Sequence, residues 1–223
     1  MTKSISRILA IFIALTLSIS FVQAQPFASD IAAFKSSDSA AMPPKNAILF
    51  VGSSSFTKWT DLQAYFPGKK IINRGFGGST LEDVIRYADD IIFPYQPKQV
   101  VIYCGENDLA SSNEVTAAVV YTRFQQLYQI IHSKLPKTNI MYISMKPSPS
   151  RRNLWGPIMA ANGMIRDFLS EKVNAYYIDV YYPMLSKGND VHASYFTSDS
   201  LHMNESGYKY WKYLLEPYLI RTK

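Results

Sequence analysis

Three histidines, His132, His192 and His202, are the side chains suited to moving a proton near neutral pH. His202 closes the run Asp199-Ser200-Leu201-His202. An acid three residues ahead of an imidazole can reach its Nδ1, fix the tautomer and stabilise the imidazolium formed on proton transfer. His132, between Ile131 and Ser133 near the end of a helical pattern, reads as a surface or C-cap residue. His192 shares a polar loop with Asp190 and is the weaker candidate base. A base needs a nucleophile, and Gly52-Ser53-Ser54-Ser55-Phe56 offers serines where an apolar run turns into a helix. Free N–H groups and the helix dipole at such a turn favour developing negative charge. The same letters also write an ordinary helix N-cap, and chemistry alone does not choose among the three serines. Phe56 excludes a G-x-S-x-G elbow, and no Gly-Lys-Ser/Thr follows to make a phosphate loop.

Two further segments could supply oxyanion donors. Asn107, in Gly105-Glu106-Asn107-Asp108, carries a neutral amide donor, although this tetrapeptide by itself reads as an Asx turn closing a strand. Asn73-Arg74-Gly75-Phe76-Gly77-Gly78-Ser79-Thr80 has glycines that permit close backbone approach to a ligand. Thr80 stands where a dinucleotide fingerprint needs Gly or Ala, so a backbone N–H donor is the better reading. Cys104 ends a strand-like run and reads as a buried, inert thiol. No Cys/His cluster or dense carboxylate set has metal-ligand spacing, so neither metal nor cofactor is expected.

These segments need elements to hold them. The short apolar runs 47–51, 70–73, 99–104, 140–144 and 175–180 are rich in β-branched and aromatic residues and do not alternate cleanly. That predicts strands of a parallel sheet buried on both faces. Helical stripes fall between them. Val120, Phe124, Leu127, Ile131 and Leu135 share one face within 114–135, and Ile158, Ala161, Ile165, Phe168 and Leu169 share another within 155–173. A shorter stripe spans 81–92, and a short N-terminal helix is predicted over 27–34. Asn204 is placed to cap a last helix carrying Tyr208, Trp211, Leu215 and Tyr218. The alternation predicts a doubly wound α/β fold, whose chemistry belongs on the loops at the carboxyl ends of the strands. The candidate residues sit on those loops.

Composition bounds the function. The chain has 223 residues, 48% hydrophobic, one cysteine and a formal charge of +6. Residues 1–24 have a basic start at Lys3 and Arg7, an apolar stretch from Ile8 to Val22, and Val22-Gln23-Ala24 at the end. This is the layout of a secretory signal peptide cut after Ala24, and its apolar stretch is short for a membrane span. Residues 25–223 are then expected to form one exported domain, periplasmic or secreted, with no stable membrane span. Without Lys3 and Arg7 the charge falls to +4, and the longest basic runs are the pairs Lys69-Lys70 and Arg151-Arg152. That is no nucleic-acid footprint.

Taken together, Gly52-Ser53-Ser54, Asn73 to Gly78, Gly105-Glu106-Asn107-Asp108 and Asp199 to His202 resemble the four ordered blocks of the SGNH hydrolase family, also called GDSL-type esterases and lipases. The resemblance runs from about Ile48 to Leu215. It implies a flavodoxin-like three-layer α/β/α sandwich with a five-stranded parallel sheet. It also implies a serine esterase working through an acyl-enzyme. Carried over by position, it puts the nucleophile on Ser54, the base on His202 and the orienting acid on Asp199. The oxyanion hole falls on the backbone N–H groups of Ser54 and Gly78 and the side-chain amide of Asn107. Ser53 departs from the Asp usual before the nucleophile.

The segment Lys146-Pro147-Ser148-Pro149-Ser150-Arg151-Arg152-Asn153-Leu154-Trp155 is expected at the rim, where Arg151 and Trp155 could contact a sugar or an anionic group. The bland alternative is solvated arginines and a tryptophan packing the next helix. Insertions between the blocks are short and no long apolar lid is visible. This favours small acyl groups, such as acetyl on a carbohydrate or small alcohol, over long-chain lipids. A lysophospholipase or an acyltransferase using the same site, and a non-catalytic carbohydrate-binding domain, are the competing readings.

Overall fold

The structure is a computed structural model that describes residues 25–188 and 190–222; the predicted signal segment lies outside the described residues. Five strands form the sheet: β1 (Ile48–Gly52), β2 (Ile71–Gly75), β3 (Gln99–Tyr103), β4 (Asn139–Ile143) and β5 (Ala175–Ile178). All pairings are parallel, in the order β2-β1-β3-β4-β5. The α-helices are α1 (Ala28–Ala40), α2 (Ser54–Thr57), α3 (Leu62–Tyr65), α4 (Leu81–Arg86), α5 (Ala88–Ile91), α6 (Glu106–Ser111), α7 (Ala117–Lys134), α8 (Trp155–Ser170) and α9 (Glu205–Leu215).

Every residue of β1 and β3 is buried, which is why these strands read as apolar without alternation. Successive side chains go to opposite faces. Leu49, Val51, Val100, Ile102, Ile140 and Tyr142 join one core with residues of α1, α4, α5, α7 and α8. Ile48, Phe50, Val101, Tyr103, Met141 and Ile143 join a second core with residues of α2, α3 and α9. The result is three layers, helices on both faces of the sheet. The order reverses at β1, so the chain leaves β1 and β3 towards opposite faces and opens a crevice at their carboxyl ends.

Three helices differ from the sequence reading. The last ends at Leu215, and Tyr218 lies beyond it in a half-exposed 3-10 turn over 216–218. The stripe over 81–92 breaks at Tyr87 into α4 and α5. The N-terminal helix extends to Ala40, well past the predicted 27–34. Its second half, Lys35-Ser36-Ser37-Asp38-Ser39-Ala40, has no apolar stripe to betray it. It is held instead by Asp38, which accepts from Arg74 on β2 and from the Tyr95 hydroxyl, with the Arg74 guanidinium lying over the Phe34 and Tyr95 rings.

Candidate active site

Gly52 closes β1 with φ +140, a conformation that suits glycine, and a Cβ there would lie 1.9 Å from the Tyr103 carbonyl oxygen. This close approach lets Ser53 N–H donate to Tyr103 O at 3.1 Å and turns the chain directly into α2. Ser54 is the first residue of that helix. The ambiguity among the serines is resolved by geometry: Ser53 and Ser55 are buried, and Ser54 Oγ lies 3.0 Å from His202 Nε2.

His202 comes from the far side of the sheet, on the long segment between β5 and α9. Asn204 caps α9, accepting from Gly207 N–H, and its amide also donates to the carbonyls of Ser194 and Phe196. Tyr208 then stacks on Trp59 at 4.8 Å and donates its hydroxyl proton to Ser55 O at 2.9 Å. Trp211 packs edge-on against Tyr103. These contacts fix α9 against the serine turn and so fix His202 against Ser54.

Asp199 accepts from His202 Nδ1 at 2.6 Å through Oδ2. Its Oδ1 accepts from the backbone N–H groups of Leu201 and His202 and from the Thr197 hydroxyl. The His202 side chain foremost, with these N–H groups and the hydroxyl, holds the Asp199 carboxyl well below the usual carboxylate range. Ser200, in this turn, has φ +57, a left-handed conformation uncommon for a side-chain-bearing residue, and its carbonyl accepts from Ser150 N–H.

The loop after β2 lies beside the same serine. A Cβ on Gly77 would lie 3.9 Å from Ser54 Cβ, which places the loop after β2 beside the hydroxyl. Gly78 turns that loop with φ +88. Among the described residues, neither Ser54 N–H nor Gly78 N–H donates to a protein acceptor. Asn107 lies in the first turn of α6 rather than in a free Asx turn, and its Nδ2 donates to Ser79 O at 3.0 Å. Asp108 accepts from Leu81 N–H at 2.9 Å and pairs with Arg123, tying α6 to the start of α4 behind the glycine loop.

A hydroxyl, an imidazole and a carboxylate in hydrogen-bonded series, with the spare N–H of Ser54 itself beside the hydroxyl, can carry out nucleophilic acyl transfer. A sequence model of the GDSL-like lipase/acylhydrolase family matches residues 44–210. The chain belongs to this family. Its members hydrolyse esters, and the chain is an ester-hydrolysing enzyme. No curated protein matches it by sequence. Solved structures share the fold at low identity. A protein from Streptococcus pneumonia superposes with TM-score 0.76 and 20% identity, over 86% of this chain and 92% of that one. A GDSL-like lipase from Bacteroides thetaiotaomicron gives TM-score 0.71 and 21% identity, over 84% and 96%. A catalytic mutant of an acetylxylan esterase from Geobacillus stearothermophilus gives TM-score 0.62 and 14% identity, over 78% and 94%.

The other sequence candidates fall as follows. His132 stacks on Tyr128 in the last turn of α7, and His192 lies against Tyr195; neither touches Ser54. Cys104 is buried, and burial pushes its thiol well above the ordinary value, which leaves it inert. Trp155 starts α8, packs on Tyr181, and carries the Arg152 guanidinium over its ring at 4.5 Å. Arg151 donates to Asn107 Oδ1 at 2.8 Å.

The expected rim segment needs correction in its first half. Lys146 and Ser148 are 2% and 0% exposed, not at the surface. Both bind Glu106, which is itself 3% exposed and which the sequence reading passed over. Tyr103 donates to the same carboxylate at 2.7 Å. Burial alone opposes ionisation of Glu106, but Lys146, Arg151, Ser148 and Tyr103 outweigh it and hold the carboxyl below the usual range. One signal was available: Lys146 comes three residues after the end of β4, next to buried Met145, and a buried lysine needs an anion.

Proposed function

We propose that this chain is an exported serine esterase that removes short acyl groups, such as acetyl, from carbohydrates or small alcohols. The observation that carries the catalytic part is the series Ser54 Oγ–His202 Nε2 at 3.0 Å and His202 Nδ1–Asp199 Oδ2 at 2.6 Å. Asp199 accepts from Nδ1–H, which leaves the Nε2 lone pair facing the Ser54 hydroxyl. Ser54 Oγ attacks the ester carbonyl carbon while its proton passes to Nε2. The oxyanion is met by the N–H groups of Ser54 and Gly78 and by the free N–H of Asn107. His202 then gives the proton to the leaving alcohol. Water, deprotonated by His202, attacks the acyl-enzyme, and the proton passes from His202 to Ser54 Oγ as the acid leaves.

Two observations support short acyl groups. Trp155 with Arg152 over its ring offers an amphipathic surface suited to a sugar. One structural relative is an acetylxylan esterase. Export rests on the layout of residues 1–24, and among the described residues no helix is long and apolar enough to cross a membrane.

The test uses the chain from Gln25 against p-nitrophenyl esters from acetyl to palmitoyl and against acetylated xylan. Activity should fall with chain length, and Ser54→Ala should lose several orders of magnitude while keeping its melting temperature within a few degrees. Turnover confined to long chains would reject the short-acyl reading. Turnover unchanged in Ser54→Ala would reject the mechanism.

A further inference from the structure

We propose that Arg151, anchored on the buried Glu106, is a positioning residue that orients and polarises the Asn107 amide for the oxyanion. The inference rests on the esterase reading and assigns Arg151 a role other than substrate contact.

Asn107 Oδ1 accepts from an Arg151 Nη2–H at 2.8 Å, and Asn107 Nδ2 donates to Ser79 O at 3.0 Å. A flipped amide would set N–H against guanidinium N–H and oxygen against carbonyl oxygen, so these two partners fix its orientation. Two of the amide's four hydrogen-bonding sites are thereby used, and the donor left over is one N–H. A guanidinium on Oδ1 also draws electron density out of the amide, which makes the remaining N–H a stronger donor to a forming oxyanion.

Arg151 is held in its turn. Its Nη1 lies 3.5 Å from Glu106 Oε1. Glu106 cannot drift, because Lys146 Nζ at 2.9 Å, Tyr103 OH at 2.7 Å and Ser148 Oγ at 2.6 Å all donate to it. The Arg151 side chain is 18% exposed, so it stands mostly inside the loop rather than reaching towards a ligand. Glu106 precedes Asn107 in the chain. One carboxylate therefore anchors the guanidinium that orients the next residue's amide.

The test is a double-mutant cycle on p-nitrophenyl acetate with Arg151→Ala, Asn107→Ala and the pair, alongside Arg151→Lys. Arg151→Ala should lower kcat by about 10–100-fold, less than the 10²–10³ of losing an oxyanion donor outright, and leave KM within about two-fold. On an Asn107→Ala background the same substitution should change kcat by less than about three-fold, because nothing remains to orient. Arg151→Lys keeps the charge but not the planar fork, and should recover part of the lost kcat. It also keeps Glu106 paired, so it carries the test if Arg151→Ala does not fold. A rise in KM with kcat preserved, or full additivity with Asn107→Ala, would overturn the proposal in favour of substrate contact. Wild-type protein without esterase turnover would instead bring down the reading on which the proposal rests.

Discussion

Ser54 differs from its neighbours only in where its hydroxyl goes. Ser53 and Ser55 are buried, and Ser54 alone of the three meets His202. Ser53→Ala should therefore leave kcat within a few-fold of wild type, a contrast with Ser54→Ala that steady-state kinetics on p-nitrophenyl acetate checks directly. Asn107→Ala should lower kcat by about 10²–10³ with little change in KM. Asp199 makes a pH prediction. Its folded pKa is depressed, so it stays ionised as pH falls through the ordinary aspartate range near ~3.9 and protonates only below it. The acid limb of kcat/KM should then show no step in the ordinary aspartate range. A step there would show that Asp199 is not held by these hydrogen bonds. These residues were legible because their chemistry is local: an acid three residues from a histidine, and a serine beside a glycine. The choice of Ser54 came only from the order of the blocks until its hydroxyl could be placed.

At the scale of elements, the strands were legible because continuous apolar runs mark a sheet covered on both sides, and the residues of β1 and β3 are buried throughout. The Asn204 cap was legible for the same local reason. The second half of α1 was not, since its anchor is a contact between Asp38 and residues 36 and 57 positions away. Asp38→Asn weakens that anchor for a largely buried Arg74 and should cost ~1–3 kcal/mol, read as a lower urea midpoint. An unchanged midpoint would mean that α1 contributes little to the fold. The N-terminal end of α1 also reaches the site loop. Phe27 packs edge-on against Phe76, and Tyr87 donates its hydroxyl proton to Pro26 O at 2.7 Å. The segment that follows the predicted cleavage point thus braces the loop that carries Gly78.

Across the whole molecule, the buried Lys146–Glu106 pair links the ends of β4 and β3 beneath the site. The position of Lys146 past an apolar strand hinted at a buried anion, but not at which one, because the partners lie 40 residues apart and each is common on surfaces. Removing one member of a buried pair costs about 3–5 kcal/mol, since the other charge is left uncompensated. Lys146→Met should therefore destabilise the protein by more than the double variant Lys146→Met/Glu106→Gln does. Chemical denaturation decides it, and equal losses would mean that Arg151 alone suffices to hold Glu106. The pair also sets an acid limit. Glu106 has a depressed pKa in the fold, so its contribution is complete above its unfolded value and is lost as pH falls through the folded one.

The central claim is that Ser54 forms the covalent intermediate. A fluorophosphonate probe displaces fluoride onto an activated serine, and peptide mass spectrometry locates the adduct. The account predicts a single stoichiometric adduct on the peptide containing Ser54, absent from Ser54→Ala and strongly slowed in His202→Ala. An adduct that persists in Ser54→Ala, or wild-type turnover that continues undiminished with Ser54 unlabelled, would contradict it.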